Sequence, residues 1–230
     1  MSSTTEKVYW VPLESSPDAM NKVIQQMGVG EPTAFSDVWG LDDELLGMVP
    51  QPVHALIFLF PLTNKFEELR KQEALSSENK VSPNVWFMKQ TIGNACGTMA
   101  IFHALGNNQK TLPIGGDLAA FFEKVKDMSP EERAAELEQS RPLAEAHKSG
   151  AAEGQTEAPA ADASVDHHYA AYALVDGDLY ELDGRLSAPI NHGPSTDVLK
   201  DGARIIKKRI ASFEGDSQAF SVISLGQQDQ

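Results

Sequence analysis

Residues 90–98 read QTIGNACGT and join a polar loop to residues 96–105, an apolar stretch with helical spacing. The segment contains Cys96, the only cysteine in the chain. A thiol in the first turn of a helix lies near unpaired backbone N–H groups and the positive end of the helix dipole, and both favour the reactive thiolate. A free cysteine can equally be a small apolar core residue. Cys96 is therefore a candidate nucleophile, and the residues that accompany it decide between the two readings.

A predicted hairpin supplies a histidine and a carboxylate. Residues 168–175 and 178–183 alternate as strands do, and Asp176-Gly177 between them is a strong signal for a two-residue turn. With these residues in the turn, His168 and Asp183 become diagonal neighbours on one face of the hairpin. Diagonal pairs lie about 7–8 Å apart at the backbone, near enough for the two side chains to meet. The sequence thus predicts a His168–Asp183 pair.

The other histidines are weaker candidates for a general base: His54, His103, His147, His167 and His192. On the helix that begins at Cys96, His103 lies about 10 Å along the axis from the thiol, too far for a hydrogen bond. The strand alternation turns His167 to the opposite face from His168. His147 falls in a segment expected to be a loop, and no acid lies at comparable spacing from His54 or His192. His168 is the favoured base.

Gln90 is a candidate donor to an oxyanion. Its side-chain amide and the backbone N–H of Cys96 could together stabilise the negative charge that develops during acyl transfer. The alternative is an ordinary solvated loop glutamine. A metal site is not expected, because the chain has neither paired cysteines nor a His-Glu-x-x-His segment.

Composition limits the partners. The chain has 33 acidic and 19 basic residues and a net charge of -14, so nucleic acids and anionic membrane surfaces are not expected to bind. Its 230 residues and 41% hydrophobic content favour a single domain that spans residues 1–230. We expect a monomer, because no large apolar stripe indicates an interface. A single cysteine and the lack of a secretory-type N-terminal segment favour a cytoplasmic or nuclear location.

The pattern of elements is mixed. Helices are predicted at 17–27, 65–75, 96–105 and 130–139, and strands at 35–39, 54–60, 168–175, 178–183 and 220–225. Residues 144–165 are rich in Ala, Glu, Gly, Ser and Pro without periodicity, which predicts a long mobile loop. Long loops inside compact domains are often functional lids. The fold class is therefore α+β, with a loop directly before His167 and His168.

The segment at 90–98, with LYELDGR at 179–185 and PINHG at 189–193, resembles the ubiquitin C-terminal hydrolases, peptidase family C12. The resemblance covers nearly the whole chain and is strongest to the short L3 isozyme type. It implies a papain-like cysteine peptidase fold with a central antiparallel sheet, flanking helices and a knotted backbone. It also implies Cys96 as nucleophile, His168 as base and then acid, Asp183 orienting His168, and Gln90 in the oxyanion hole.

The resemblance implies ubiquitin as partner and no cofactor. Residues 144–165 would be a crossover loop that limits leaving groups to small adducts, peptides or unfolded tails. Five matched positions are expected to contact ubiquitin: Leu13, Glu14, Asp37, Val38 and Glu157. Two alternatives stay open at this point, a ubiquitin-binding protein with little turnover and a preference for the ubiquitin-like modifier NEDD8.

Overall fold

A computed structural model describes residues 8–154, 159–163, 165–213 and 220–227. The strands in these ranges are β1 (Thr33–Asp37), β2 (Val53–Pro61), β3 (His167–Val175), β4 (Asp178–Leu182), β5 (Ile190–Pro194) and β6 (Ser221–Gln227). The helices are α1 (Pro17–Met27), α2 (Asp43–Leu46), α3 (Asn64–Leu75), α4 (Cys96–Gly106), α5 (Gly116–Val125), α6 (Pro130–Glu138), α7 (Arg141–Ala151) and α8 (Val198–Ala211). Within the described ranges, no helix is both long and apolar enough to cross a membrane.

The strands form one antiparallel sheet in the order β1-β6-β2-β3-β4-β5. Both faces of its centre are buried. On β2, Ala55 and Ile57 pack into the core on one face, while Leu56, Phe58 and Phe60 pack into a second core on the other. Side chains alternate across a strand, so a strand covered on both sides needs a continuous apolar run. The predicted α+β class and the central antiparallel sheet flanked by helices are confirmed.

Local sequence signals account for several helix ends. Helix α1 ends at Met27, and Gly28 after it has φ 101°, a left-handed conformation that suits glycine. Helix α6 begins with a reciprocal pair of hydrogen bonds between Ser129 and Glu132, as the serine, proline and acid at its start predict. Helix α4 ends at Gly106, one residue beyond the predicted end, and Asn107 after it has φ -87°, which is not left-handed. The Asn107 side chain instead donates to the carbonyls of His103 and Trp86.

The hairpin of β3 and β4 has the register that the sequence predicts. Ala171 pairs with Leu182 and Val175 with Asp178, so Asp176 and Gly177 form the turn. Their φ values of 52° and 84° are the positive values that a tight two-residue hairpin turn requires. The residue that follows β4, Asp183, is thereby brought beside the start of β3.

One prediction about residues 144–165 is wrong. Helix α7 extends to Ala151, so the first part of the expected loop is helical and buried on one side. Its packing against α1 explains why: a Cβ on Gly150 would lie 2.2 Å from the Val23 side chain, so the two helices approach very closely there. The small alanine and glycine residues that resemble a loop in composition instead permit tight helix packing.

Candidate active site

Cys96 is the first residue of α4, a helix whose residues from Gly97 to Gly106 are all buried. No side chain caps the start of this helix, so its first backbone N–H groups remain directed at the space around Cys96. Cys96 itself is half-buried. A central helix therefore presents a partly accessible thiol at its N-terminal end.

Hydrogen bonds to two other segments of the chain hold the loop before Cys96 in place. Asn94 has φ 58°, and its side-chain amide donates to the carbonyls of Ala161 (2.7 Å) and Ala163 (2.8 Å). Gly93 exchanges backbone hydrogen bonds with the N-terminal segment, and a Cβ at Gly93 would lie 2.3 Å from the Tyr9 ring. Only glycine permits this approach, and the thiol is thereby held at a defined place.

Two cavities meet at Cys96. The first, of about 180 Å³, is mainly apolar and has Leu13, Leu59 and Tyr169 in its wall. The second, of about 340 Å³, is polar and is lined by residues that include Gln90 and His168. A chain that passes from one cavity to the other would cross the thiol.

His168 lies next to both partners that the sequence assigns to it. Its Nε2 atom is 2.7 Å from Asp183 Oδ1. Its ring lines the same cavity as the Cys96 thiol and lies close enough to interact with it electrostatically. Because Nε2 is used for Asp183, Nδ1 is the ring nitrogen left for the thiol. The structure thus brings Cys96, His168 and Asp183 together in that order.

The environment favours the charged form of His168. Burial alone lowers the pKa of this imidazole, but the Asp183 carboxylate and the hydrogen bond and charge at Cys96 raise the pKa to about 9. The imidazolium is therefore the stable form at neutral pH. An imidazolium beside a thiol stabilises the thiolate, the form that attacks carbonyl carbon.

Asp183 is fully enclosed and held at both oxygens. Oδ1 accepts hydrogen bonds from His168 and from the backbone N–H of Arg185 at 2.9 Å. Oδ2 lies 2.8 Å from Arg70 Nη1, an ion pair without the alignment of a good hydrogen bond. Burial raises the pKa of Asp183, but the positive charges of His168 and Arg70 outweigh it and hold the pKa well below its usual range.

Gln90 lines the polar cavity with Cys96 and His168. Its backbone N–H donates to the carbonyl of Gly184 at 2.9 Å, and its Nε2 donates to the carbonyl of Ile92 at 3.3 Å. An amide nitrogen carries two N–H groups, so the second remains to donate to an oxyanion. The position suits the predicted role, which remains a prediction.

His167 lines both cavities at Cys96, while three other histidines, His103, His147 and His192, occupy structural positions. His103 is buried against Met88, and His192 Nε2 lies within hydrogen-bond distance of Glu181 Oε2, at 3.0 Å. The expectation that His147 lies in a mobile loop is wrong. It is buried on α7, where Nδ1 lies 2.7 Å from Thr98 Oγ1 and Nε2 lies 2.8 Å from the Val11 carbonyl oxygen. A buried polar side chain on a helix needs such partners, and His147 links three segments through them.

The expected ubiquitin contacts are distributed unevenly. Leu13 is buried in the wall of the apolar cavity, and Glu14 is half-buried beside Gly154. Asp37 and Val38 lie at the end of β1, outside the walls of both cavities, and Val38 is only 8% exposed. Glu157 lies outside the described residues. The contact roles of all five residues remain predictions.

The sequence did not single out the residues that surround Asp183. Arg70 of α3 is 1% exposed and binds both Asp183 and Glu181. Glu181 is also 1% exposed and binds Arg209 and His192. The only available signal was the placement of Glu181 two residues before Asp183, which puts both carboxylates on one face of a strand.

In the described part of the chain, no group of three or more His, Cys, Asp or Glu side chains is placed to hold a metal ion. The chemistry that this arrangement can perform is nucleophilic attack by a thiolate, with a histidine to transfer protons and amide groups to stabilise an oxyanion.

Comparison with known proteins agrees with this chemistry. A sequence model of "Ubiquitin carboxyl-terminal hydrolase, family 1" matches residues 10–211. Ubiquitin carboxyl-terminal hydrolase 3 of Arabidopsis thaliana is 44% identical over 230 residues, covering 97% of each chain. Human ubiquitin carboxyl-terminal hydrolase isozyme L1 is 42% identical, covering 93% of this chain and 96% of its own. Among solved structures, the Trichinella spiralis UCH37 catalytic domain bound to ubiquitin vinyl methyl ester has a similar fold, with a TM-score of 0.80 and 24% identity, over 98% of this chain and 99% of its own.

Proposed function

This chain belongs to ubiquitin carboxyl-terminal hydrolase family 1, and we propose that it releases small adducts, peptides or unfolded tails from the C-terminal glycine of ubiquitin. The observation that carries the proposal is the placement of His168, bonded to Asp183, in the cavity that it shares with Cys96 at the uncapped end of α4. A cysteine-type deubiquitinase needs this set of groups, and the described residues supply each of them.

The reaction begins with the Cys96 thiolate, formed when His168 holds the thiol proton. The sulfur attacks the carbonyl carbon of the terminal glycine, and the oxyanion that forms is stabilised by the Gln90 amide and the Cys96 backbone N–H. The carbon–nitrogen bond then breaks as His168 gives its proton to the leaving amine. This leaves ubiquitin attached to Cys96 as a thioester.

Water completes the cycle. His168, now neutral, removes a proton from a water molecule as the water attacks the thioester carbonyl. The carbon–sulfur bond breaks, and free ubiquitin leaves with a C-terminal carboxylate. Throughout both steps Asp183 keeps the imidazole in the orientation and tautomer that proton transfer requires.

The charge and the cavities fit the proposed substrate. The C-terminal tail of ubiquitin is rich in arginine and ends in two glycines, and this chain has a net charge of -14. Opposite charges speed encounter more than they deepen affinity. The small apolar cavity beside Cys96 has room for a chain with little side-chain volume, such as two glycines.

The test is hydrolysis of ubiquitin that carries a fluorogenic amide at its C-terminus. We expect rapid turnover by the wild type and none by Cys96→Ala. The same probe built on NEDD8 measures the preference between the two modifiers. Tight binding of ubiquitin by the wild type without turnover would contradict the proposal and favour a ubiquitin-binding protein instead.

The leaving group is tested separately. Ubiquitin fused to a short unfolded peptide and ubiquitin fused to a stably folded domain present the same scissile bond. We expect the peptide fusion to be cleaved much faster, and equal rates would contradict the proposed limit on leaving groups.

A further inference from the structure

Strand β4 places two buried carboxylates side by side. Glu181 and Asp183 are two residues apart in extended chain, so their side chains lie on the same face. Their side chains are each only 1% exposed. Two neighbouring buried carboxylates disfavour each other's ionised form, and without a cation between them one would take up a proton.

Arg70 is the cation that lies between them. Its Nε atom is 2.6 Å from Glu181 Oε1, and its Nη1 atom is 2.8 Å from Asp183 Oδ2. The guanidinium is 1% exposed. One rigid planar group therefore compensates both carboxylates, a geometry that the single charge of a lysine cannot reproduce.

The surroundings leave Arg70 little freedom. Its guanidinium carbon lies 4.7 Å from the centre of the Phe60 ring and 5.7 Å from that of Phe66. The second oxygen of Glu181 is occupied by Arg209 Nη2 at 2.8 Å and by His192 Nε2 at 3.0 Å. Glu181 is thus fixed from its other side and holds Arg70 towards Asp183.

We propose that Arg70 is a positioning residue for the reaction, which holds Asp183 ionised and aligned on His168 through an ion pair shared with Glu181. The effect of Arg70 on turnover rests on the proposed function. The effect of Arg70 on the Cys96–His168 pair is independent of that function, because the pair is present in the protein without ubiquitin.

The charged and titratable groups around Asp183 come from several elements. His168 of β3, Arg70 of α3 and Glu181 of β4 lie nearest, while Lys89 and His103 interact with it electrostatically at longer range. When the Arg70 charge is removed, burial and the neighbouring Glu181 carboxylate raise the pKa of Asp183. A protonated Asp183 no longer stabilises the imidazolium, and the Cys96 thiolate loses its partner.

The experiment measures the rate at which iodoacetamide alkylates Cys96 as a function of pH, without ubiquitin. Because Cys96 is the only cysteine, the rate reports this thiol alone. An opposite charge at such distances changes a carboxyl pKa by about 1–3 units. The Cys96–His168 pair feels this change through Asp183, so we expect the acid limb of the pH–rate profile of Arg70→Met to move to higher pH by up to that amount. We expect the acid limb of Arg70→Lys to shift less than that of Arg70→Met, because lysine keeps the positive charge but loses the geometry that contacts both carboxylates. An acid limb at the wild-type pH in Arg70→Met and Arg70→Lys would overturn the proposal.

Two further variants separate positioning from folding. Arg209→Met removes a partner of Glu181 that does not touch Asp183, so we expect lower stability with a shift in the alkylation profile much smaller than that of Arg70→Met. Glu181→Gln removes the anion beside Asp183, so its acid limb should lie at or below the wild-type pH, and this variant decides the matter if Arg70→Met does not fold. An upward shift in Glu181→Gln as large as that expected for Arg70→Met would overturn the proposal. A wild type that fails to hydrolyse ubiquitin, with Arg70 variants that shift the alkylation profile, would reject the proposed function and support the positioning role.

Discussion

His168 Nε2 and Asp183 Oδ1 lie 2.7 Å apart, although 15 positions separate the two residues in the chain. The distance follows from the hairpin turn at Asp176 and Gly177, which sets the register of β3 against β4. A one-residue change in register would carry one of the two side chains to the other face of the sheet. The turn therefore determines whether Cys96 has an oriented base.

We expect Asp183→Asn to lower turnover by about 10²–10⁴-fold, because an amide keeps the shape but neither stabilises the imidazolium nor fixes the tautomer. The pKa of His168, about 9 in the wild type, should fall in this variant. Steady-state kinetics and an NMR titration of the imidazole measure the two effects. Asp178→Asn makes the same substitution in the same hairpin, at a residue that contacts Asn191, and serves as the control. Unchanged titration of His168 in Asp183→Asn would contradict this account.

Replacement of Gln90 by alanine should reduce kcat by about 10²–10³-fold with little change in KM, as expected when a donor acts mainly in the transition state. Gln72→Ala is the matched control, since Gln72 is an exposed residue of α3 whose amide contacts Glu68. If Gln90→Ala reduced kcat less than about tenfold, the backbone N–H of Cys96 would be the main donor.

Gly184→Ala should impair catalysis through Gln90. A Cβ at Gly184 would lie 2.7 Å from the backbone nitrogen of Gln90, and the two residues are joined by a backbone hydrogen bond. Displacement of a catalytic group by about 1 Å can cost up to about 10²-fold, so we expect kcat to fall about 10- to 100-fold.

The control for this change is Gly193→Ala on β5, away from the hairpin turn of β3 and β4. No atom lies within 4 Å of a Cβ there, and only the φ of 87° opposes the substitution. It should cost about 1–2 kcal/mol of stability and leave kcat unchanged. Equal kcat values for the two glycine variants would show that Gln90 tolerates the displacement.

Two buried histidines predict loss of stability in acid. Burial lowers the pKa of both His103 and His147 from 6.5 to about 4. Between these values the unfolded chain binds protons that the folded chain does not, so this stabilisation is complete above 6.5 and is lost as the pH falls towards 4. Each histidine should lower the free energy of unfolding by about 2 kcal/mol between pH 7 and pH 5.

Urea unfolding at the two pH values measures the loss, and comparison with His147→Gln isolates one histidine from the carboxylates that titrate in the same range. We expect a smaller pH dependence in the variant, reduced by about 2 kcal/mol over this interval. An identical pH dependence would mean that His147 accepts a proton in the folded state.

The elements with local signals could be predicted from the sequence. The hairpin register followed from Asp176-Gly177, α6 from Ser129 and Glu132, and the position of Cys96 from the apolar stretch that follows it. Helix α8 was absent from the prediction, although Asp197 caps its start and its buried residues recur at helical spacing. These signals act over a few residues, which is why the sequence alone displays them.

The groups that support the site could not be found in this way. Arg70 and Glu181 are 111 positions apart, and nothing in the charged segment at 65–75 distinguishes a buried arginine from a solvated one. The helical part of 144–165 was missed for a related reason: its stability comes from close packing of α7 on α1 rather than from its composition. Tertiary contacts decide both cases.

The central claim is that the Cys96 thiolate, activated by His168, attacks the C-terminal carbonyl carbon of ubiquitin. Its most direct test is intact-mass and peptide-mapping analysis of the protein after reaction with ubiquitin that carries a C-terminal electrophile. We predict a single adduct of one ubiquitin per chain located on Cys96, formed rapidly by the wild type, slowly by His168→Gln and not at all by Cys96→Ala. An adduct at another residue, or equal rates for the wild type and His168→Gln, would contradict the account.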